Sequence, residues 1–194
     1  MAPMEYYCIM VKSGGEEAFK KDFDKNLRKA ALLNAEKEDG GADEFSCAQI
    51  IFFKKKMRDS QKREFEQALF PGYCFMSVEK FSAKIAETAK KTKNFYHFLN
   101  NNSDIQKLQG NDREILSNLL KFGETQGISQ ATFDENQRII VEAGPLMGLE
   151  GKIVKVNRKR GRATVQITLC SNQMKFDLAF DEIKRRPDSD TCKS

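Results

Sequence analysis

The stretch Leu69-Phe70-Pro71-Gly72-Tyr73-Cys74-Phe75-Met76 constrains this chain more than any other. Proline fixes its own φ and withholds a backbone donor, so Pro71 interrupts any regular element that reaches it. Gly72 follows, the one residue type that turns a left-handed corner at no steric cost. Aromatic and smaller apolar residues then alternate in the manner of a strand. A second corner comes about seventy residues later, in Val141-Glu142-Ala143-Gly144-Pro145-Leu146-Met147-Gly148-Leu149-Glu150-Gly151-Lys152-Ile153-Val154. Gly144, Pro145, Gly148 and Gly151 are read as architectural, bending the chain where a β-hairpin begins.

The rest of the chain is organised around these corners. Tyr6 to Val11 is β-rich, and Gly14-Gly15 ends it. Phe19, Phe23, Leu27 and Ala30 or Ala31 then recur at helical spacing. Glu16 and Glu17 read as a solvated first turn, and Arg28 and Lys29 as the last, as the helix dipole favours. A charged loop is expected over Glu36 to Glu44 and a strand over Phe45 to Phe53. Lys54 to Glu66 is polar and basic, and reads as a mobile excursion between antiparallel strands. A strand to Val78, a helix from Ser82 to Lys91 and a strand over Phe95 to Leu99 follow. Asn111 and Glu114 resemble a capping box before Ile115, Leu116, Leu119 and Leu120.

The predicted fold class is α+β, an antiparallel sheet flanked by helices and followed by a small all-β barrel. Residues 1–123 are assigned to the first domain, 124–136 to a polar linker, 137–187 to the barrel and 188–194 to a tail. Asn157 to Arg162 is the expected tip of a hairpin within the barrel, with Gly161 suited to positive φ.

Chemistry-bearing groups are sparse. His97 is the only histidine and lies in an aromatic run, so nucleophile–base arrangements have one candidate base at most. There is no phosphate loop with its Lys-Ser/Thr ending. Five cysteines are scattered without a Cys-x-x-Cys pair, which suggests no metal site and a reducing compartment. The expectation is a cytoplasmic monomer with no enzymatic activity, cofactor or membrane span. No signal peptide is visible in Met1 to Glu5.

Net charge is +5, with 21 basic and 19 acidic residues up to Thr125 and 12 against 9 beyond. Neither half is basic enough to hold nucleic acid by bulk electrostatics alone. A protein partner is favoured, met by aromatic rings that helices leave uncovered.

The two corner motifs, in this order, resemble the NusG family of transcription elongation factors, over roughly Glu5 to Arg186. The resemblance makes the first domain NusG-like and the barrel an SH3-like KOW domain. It implies RNA polymerase as partner, docked through Tyr6 or Tyr7, Phe70, Tyr73 and Phe98. It makes the basic excursion, with Lys54, Lys55, Lys56, Arg58, Lys62 and Arg63, a hairpin loop projecting across the polymerase cleft. It puts Lys91, Thr92 and Lys93 where relatives touch non-template DNA. Arg158, Lys159, Arg160 and Arg162 become candidates for RNA or protein contact. Rho or a ribosomal protein is the implied barrel partner.

The implied function is processive elongation and antitermination. His97-Phe98 and Gly144-Pro145-Leu146 resemble specialised antitermination paralogues of the RfaH and LoaP kind. General NusG action in pausing and Rho-dependent termination is the alternative within the family. A KOW-type RNA-binding or ribosome-associated protein is the alternative outside it. The β-branched strands around Ile153, Val154, Val156, Thr164, Val165 and Ile167 argue against a barrel that refolds into helices.

Overall fold

The computed structural model describes residues 4–35, 48–99, 102–169 and 172–183. The expected loop at 36–44, the start of the strand at Phe45 and the tail from Pro187 lie outside them. Strands β1 (Glu5–Val11), β2 (Gln49–Ile51), β5 (Tyr73–Val78) and β6 (Phe95–Phe98) form one antiparallel sheet in the order β2-β5-β1-β6. Alternation along each strand divides its side chains between two faces. Tyr7, Ile9 and Val11 point one way with Cys74, Met76 and Val78. Tyr6, Cys8 and Met10 point the other way with Tyr73 and Phe75.

Two helices cover the first face. Helix α1 (Glu16–Ala35) brings Phe19, Phe23 and Leu27, four residues apart, into a core shared with Ile85, Ala86 and Ala89 of α2 (Ala83–Lys91). Burying a large apolar side chain of this kind contributes about 1.5–3 kcal/mol. The α2 N-terminus is capped by Ser82, whose Oγ accepts from Ile85 N. Two helix expectations are corrected. α1 continues past Arg28 and Lys29, so neither serves its C-terminal dipole. α3 (Gly110–Leu120) starts one residue before Asn111, without a side-chain cap; Asn111 instead donates to Thr168 O.

The second face meets α3 and the barrel in one continuous core, which joins Phe53, Phe70, Phe75, Leu116 and Leu119 to Val165, Ile167, Phe176 and Leu178. The barrel is a curled five-stranded sheet, β10-β11-β12-β8-β9. It is built from β8 (Ser129–Phe133), β9 (Ile139–Ala143), β10 (Ile153–Asn157), β11 (Arg162–Leu169) and β12 (Asn172–Glu182). β11 buries Ala163, Val165, Ile167 and Leu169 in strict alternation. The expected hairpin tip is present, with Gly161 at φ 58°.

The segment 124–136 is not the free polar linker expected. Thr125–Gln126 forms β7, paired in parallel with Lys54 and Lys55. Ser129–Phe133 is β8, parallel to the end of β12. The Glu124 carboxylate takes both oxygens to Lys20 Nζ at 2.6 Å and accepts from Phe52 N at 3.1 Å. Its carbonyl accepts from Lys54 N at 2.8 Å. β7 draws its partner from a distant segment, while β8 also pairs antiparallel with the adjacent β9, from Phe133 opposite Ile139 to Gln130 opposite Ala143.

Candidate functional site

The Pro71-Gly72 corner positions the aromatic rings. Gly72 has φ 83°, and its N–H donates to Glu16 Oε1 at 2.7 Å. Glu16 is only 3% exposed. It is therefore a buried clamp between the start of α1 and the Phe70-to-Tyr73 corner, not a solvated first-turn acid. Tyr73 N donates to Phe70 O at 3.1 Å, and Val11 N to Gly72 O at 2.9 Å, closing the turn onto β1.

The five rings expected to dock together divide between the two faces. Tyr6, Phe70 and Tyr73 lie on the barrel side. Phe70 is 3% exposed and packs edge-on against Phe176 of β12, with ring centroids 5.2 Å apart. Tyr7 and Phe98 belong to the helix-side core and are buried there. Phe98 meets Phe95 at 5.5 Å and Phe81 at 6.2 Å, and Tyr7 stacks on Phe81 at 4.4 Å. The expectation of an uncovered patch is thus corrected twice. Tyr7 and Phe98 are sealed by their own domain, and Phe70 is sealed by the barrel. Tyr7 keeps its hydroxyl satisfied by donating to Glu5 Oε2 at 3.0 Å; burial and that carboxylate push the phenol pKa up.

The basic excursion is an ordered hairpin, β3 (Lys54–Arg58) and β4 (Glu64–Ala68), and not a mobile loop. Its tip is held by Asp59, whose Oδ1 accepts from Gln61 N at 2.8 Å and Arg63 N at 2.9 Å. An apolar anchor missed in the sequence is Met57, 1% exposed. The basic side chains have separate fates. Lys54 pairs with Glu17 at 3.3 Å and Glu66 at 3.7 Å, and Arg63 pairs with Asp59. Arg58 bridges Glu64 and Asp181 of β12, and its carbonyl accepts from Arg162 Nη2 at 2.8 Å. Lys55 is buried against the barrel; desolvation lowers its pKa, Asp177 opposes that shift and Arg162 adds to it. Lys56 and Lys62 are exposed.

Thr92 is buried, a correction to its reading as a nucleic-acid contact. Its hydroxyl donates to Thr88 O at 2.8 Å and accepts from Asn26 Nδ2 at 3.1 Å, closing α2. Lys91 pairs with Glu87, while Lys93 is exposed. On the barrel, Arg158 lies over the Phe133 ring at 4.4 Å and pairs with Glu182. Gly144 has φ 97°, and a Cβ there would lie 2.7 Å from Ser129 Cα. Pro145 and Leu146 are buried behind it, and Gly148 turns at φ 77°. Gly151 has open space and no positive φ, so the architectural role given to it is not needed.

The family described as transcription termination factor nusG matches residues 4–117. The chain belongs to the NusG family. The NusG protein of Thermus thermophilus, named as a transcription termination/antitermination protein, is 23% identical over 191 residues, 93% of this chain and 97% of its own. The same-named NusG protein of Xylella fastidiosa strain Temecula1 is 21% identical over 139 residues, 67% and 75% of the two chains. A solved structure titled for domain interaction in Thermotoga maritima NusG superposes with a TM-score of 0.52 at 19% identity. It covers 91% of this chain and 94% of that one, a likeness that concerns the fold.

Proposed function

We propose that this NusG family member is a transcription elongation and antitermination factor that docks on RNA polymerase through the face carrying Tyr6, Phe70 and Tyr73. One observation carries the choice of face. The opposite face is closed by α1 and α2 of the same domain, whereas Phe70 is covered by Phe176 from the barrel. α3 packs on this second face as well, but the cover over Phe70 comes from the barrel, and that cover can leave while the domain keeps its own helices. Polymerase then competes with the barrel for the same rings, and docking selects the open arrangement. Holding polymerase in a processive state requires differential binding and no chemistry.

The finer reading is a specialised antiterminator acting on selected operons, supported by the resemblance of Gly144-Pro145-Leu146. Recruitment to nearly every transcribed gene overturns it in favour of general NusG action in pausing and termination. Released from the first domain, the barrel is free to meet Rho or a ribosomal protein, and Lys56, Lys62 and Lys93 are exposed cations available to nucleic acid.

The decisive experiment measures binding of the full chain to purified RNA polymerase. Tyr73 is half-buried at the margin of the barrel contact, so Tyr73→Ala is expected to keep a native circular dichroism spectrum. Affinity should fall at least tenfold, as for a central aromatic anchor. Unchanged affinity in a folded Tyr73→Ala protein overturns the choice of face.

A further inference from the structure

A cleft of about 400 Å³ opens where the hairpin, the Pro71 corner and β12 meet. Ala68, Leu69, Pro71 and Phe176 give an apolar wall, and Lys55 and Lys175 bring two cations to it. Glu16 also lines the cleft, with Oε1 turned to the Gly72 N–H.

Lys55 is the unusual member. It is 6% exposed, and its ammonium, which no carboxylate pairs among the described residues, keeps a little solvent contact. Withdrawing an ammonium even partly from water is costly, and an anion at hydrogen-bonding distance offsets that cost. The field of Asp177 reaches Lys55, but this carboxylate already accepts from Thr164 Oγ1 at 2.6 Å, and Arg162 acts against it. The volume lies at the small end of ligand sites, whose usual pattern is apolar walls with a few polar groups.

We infer that this cleft binds a phosphate-bearing small molecule of about mononucleotide size, its anionic group between Lys55 and Lys175 and its body against Pro71 and Phe176. Lys55 and Pro71 come from the first half of the chain, and Lys175 and Phe176 from the barrel. Occupancy therefore stabilises the barrel in its seated position by mass action. The binding site stands independently of the polymerase reading, because the ligand is tested on the chain alone.

The test is calorimetric titration of the full chain with inorganic phosphate, pyrophosphate and a nucleoside diphosphate. Saturable binding of at least one is expected. Tighter binding of the nucleoside diphosphate than of the two inorganic anions supports the proposal, and equal affinities for all three overturn it, because the apolar wall then holds no organic body. Lys175→Gln removes an exposed charge and should weaken binding at least tenfold with the melting curve unchanged. Lys55→Met keeps the length of the side chain and deletes the buried charge, so it should weaken binding similarly while melting no lower than the parent. Failure of all three probes to bind overturns the proposal. So does an affinity equal to the parent's in both variants.

Discussion

Glu16 illustrates how much a single side chain can differ from its local sequence signature. Beside Glu17 it has the appearance of one acid among two at a helix start, favoured there by the dipole. Glu17 fits that description, being half-exposed and paired with Lys21 and Lys54. Glu16 does not, because its carboxylate satisfies a backbone donor 56 residues away. Glu16→Ala leaves the Gly72 N–H unpaired in a buried place, at a cost of about 1–3 kcal/mol. Urea unfolding should register that loss and a much smaller one for Glu17→Ala. The barrel offers a parallel contrast between two glycines of one motif. Gly144→Ala forces a positive-φ alanine into Ser129 Cα, and strain of this kind costs on the order of 1–3 kcal/mol before the clash is counted. Gly151→Ala meets no atom within 4 Å and should change stability by less than about 1 kcal/mol in either direction. Melting temperatures of the two variants should separate clearly.

Among the elements, β7 and β8 are the ones that a sequence reading misses. Most of their residues are polar, yet Gln126, Ser129 and Thr132 are buried. β7 is held by Glu124, which ties it to α1 through Lys20 and to the end of β2 through Phe52 N. The pair is partly exposed, so the ion pair itself contributes little and the backbone bond more. Glu124→Ala should cost about 1 kcal/mol, and its signature should be local: amide hydrogen exchange at Phe52 should quicken more than at Ile50.

Elements with their own periodicity were legible by contrast. Phe19, Phe23 and Leu27 declare α1, Ile85, Ala86 and Ala89 declare the buried side of α2, and the alternation of β11 declares itself. β7 is two residues long and pairs in parallel with remote β3, and β8 is short and largely polar, so neither carries a period that separates 124–136 from a linker. The candidate site was half legible for a related reason. Alternation requires Tyr6 and Tyr7 to face opposite ways, but only the packed structure decides which face takes α1 and which takes the barrel. The hairpin's order was equally hidden, since one buried Met57 among lysines and arginines gives no apolar stripe.

At the scale of the molecule, the contact between the first domain and the barrel combines an apolar centre with an ionic margin. Phe70 on Phe176 is the centre. The margin is Arg58, reaching from the hairpin to Asp181, with Arg162 returning a hydrogen bond to the Arg58 carbonyl. The hydrogen bond to Asp181 holds the Arg58 pKa above its ordinary value, so this cation stays charged throughout the accessible pH range. Both partners are partly exposed, which limits the attraction to about 1 kcal/mol or less. Replacing attraction with repulsion doubles the lever without touching the core. Asp181→Arg should therefore loosen the seated barrel and raise apparent affinity for polymerase several-fold, because a larger fraction of molecules presents Tyr6, Phe70 and Tyr73. Adding Arg58→Glu restores an opposite-charge pair in reversed order and should return the affinity towards the parent value. A double-mutant cycle on polymerase binding isolates that coupling from each residue's separate contacts. If Asp181→Arg leaves affinity unchanged while the swap also does nothing, the ionic margin has no part in seating the barrel, and the aromatic centre alone controls it.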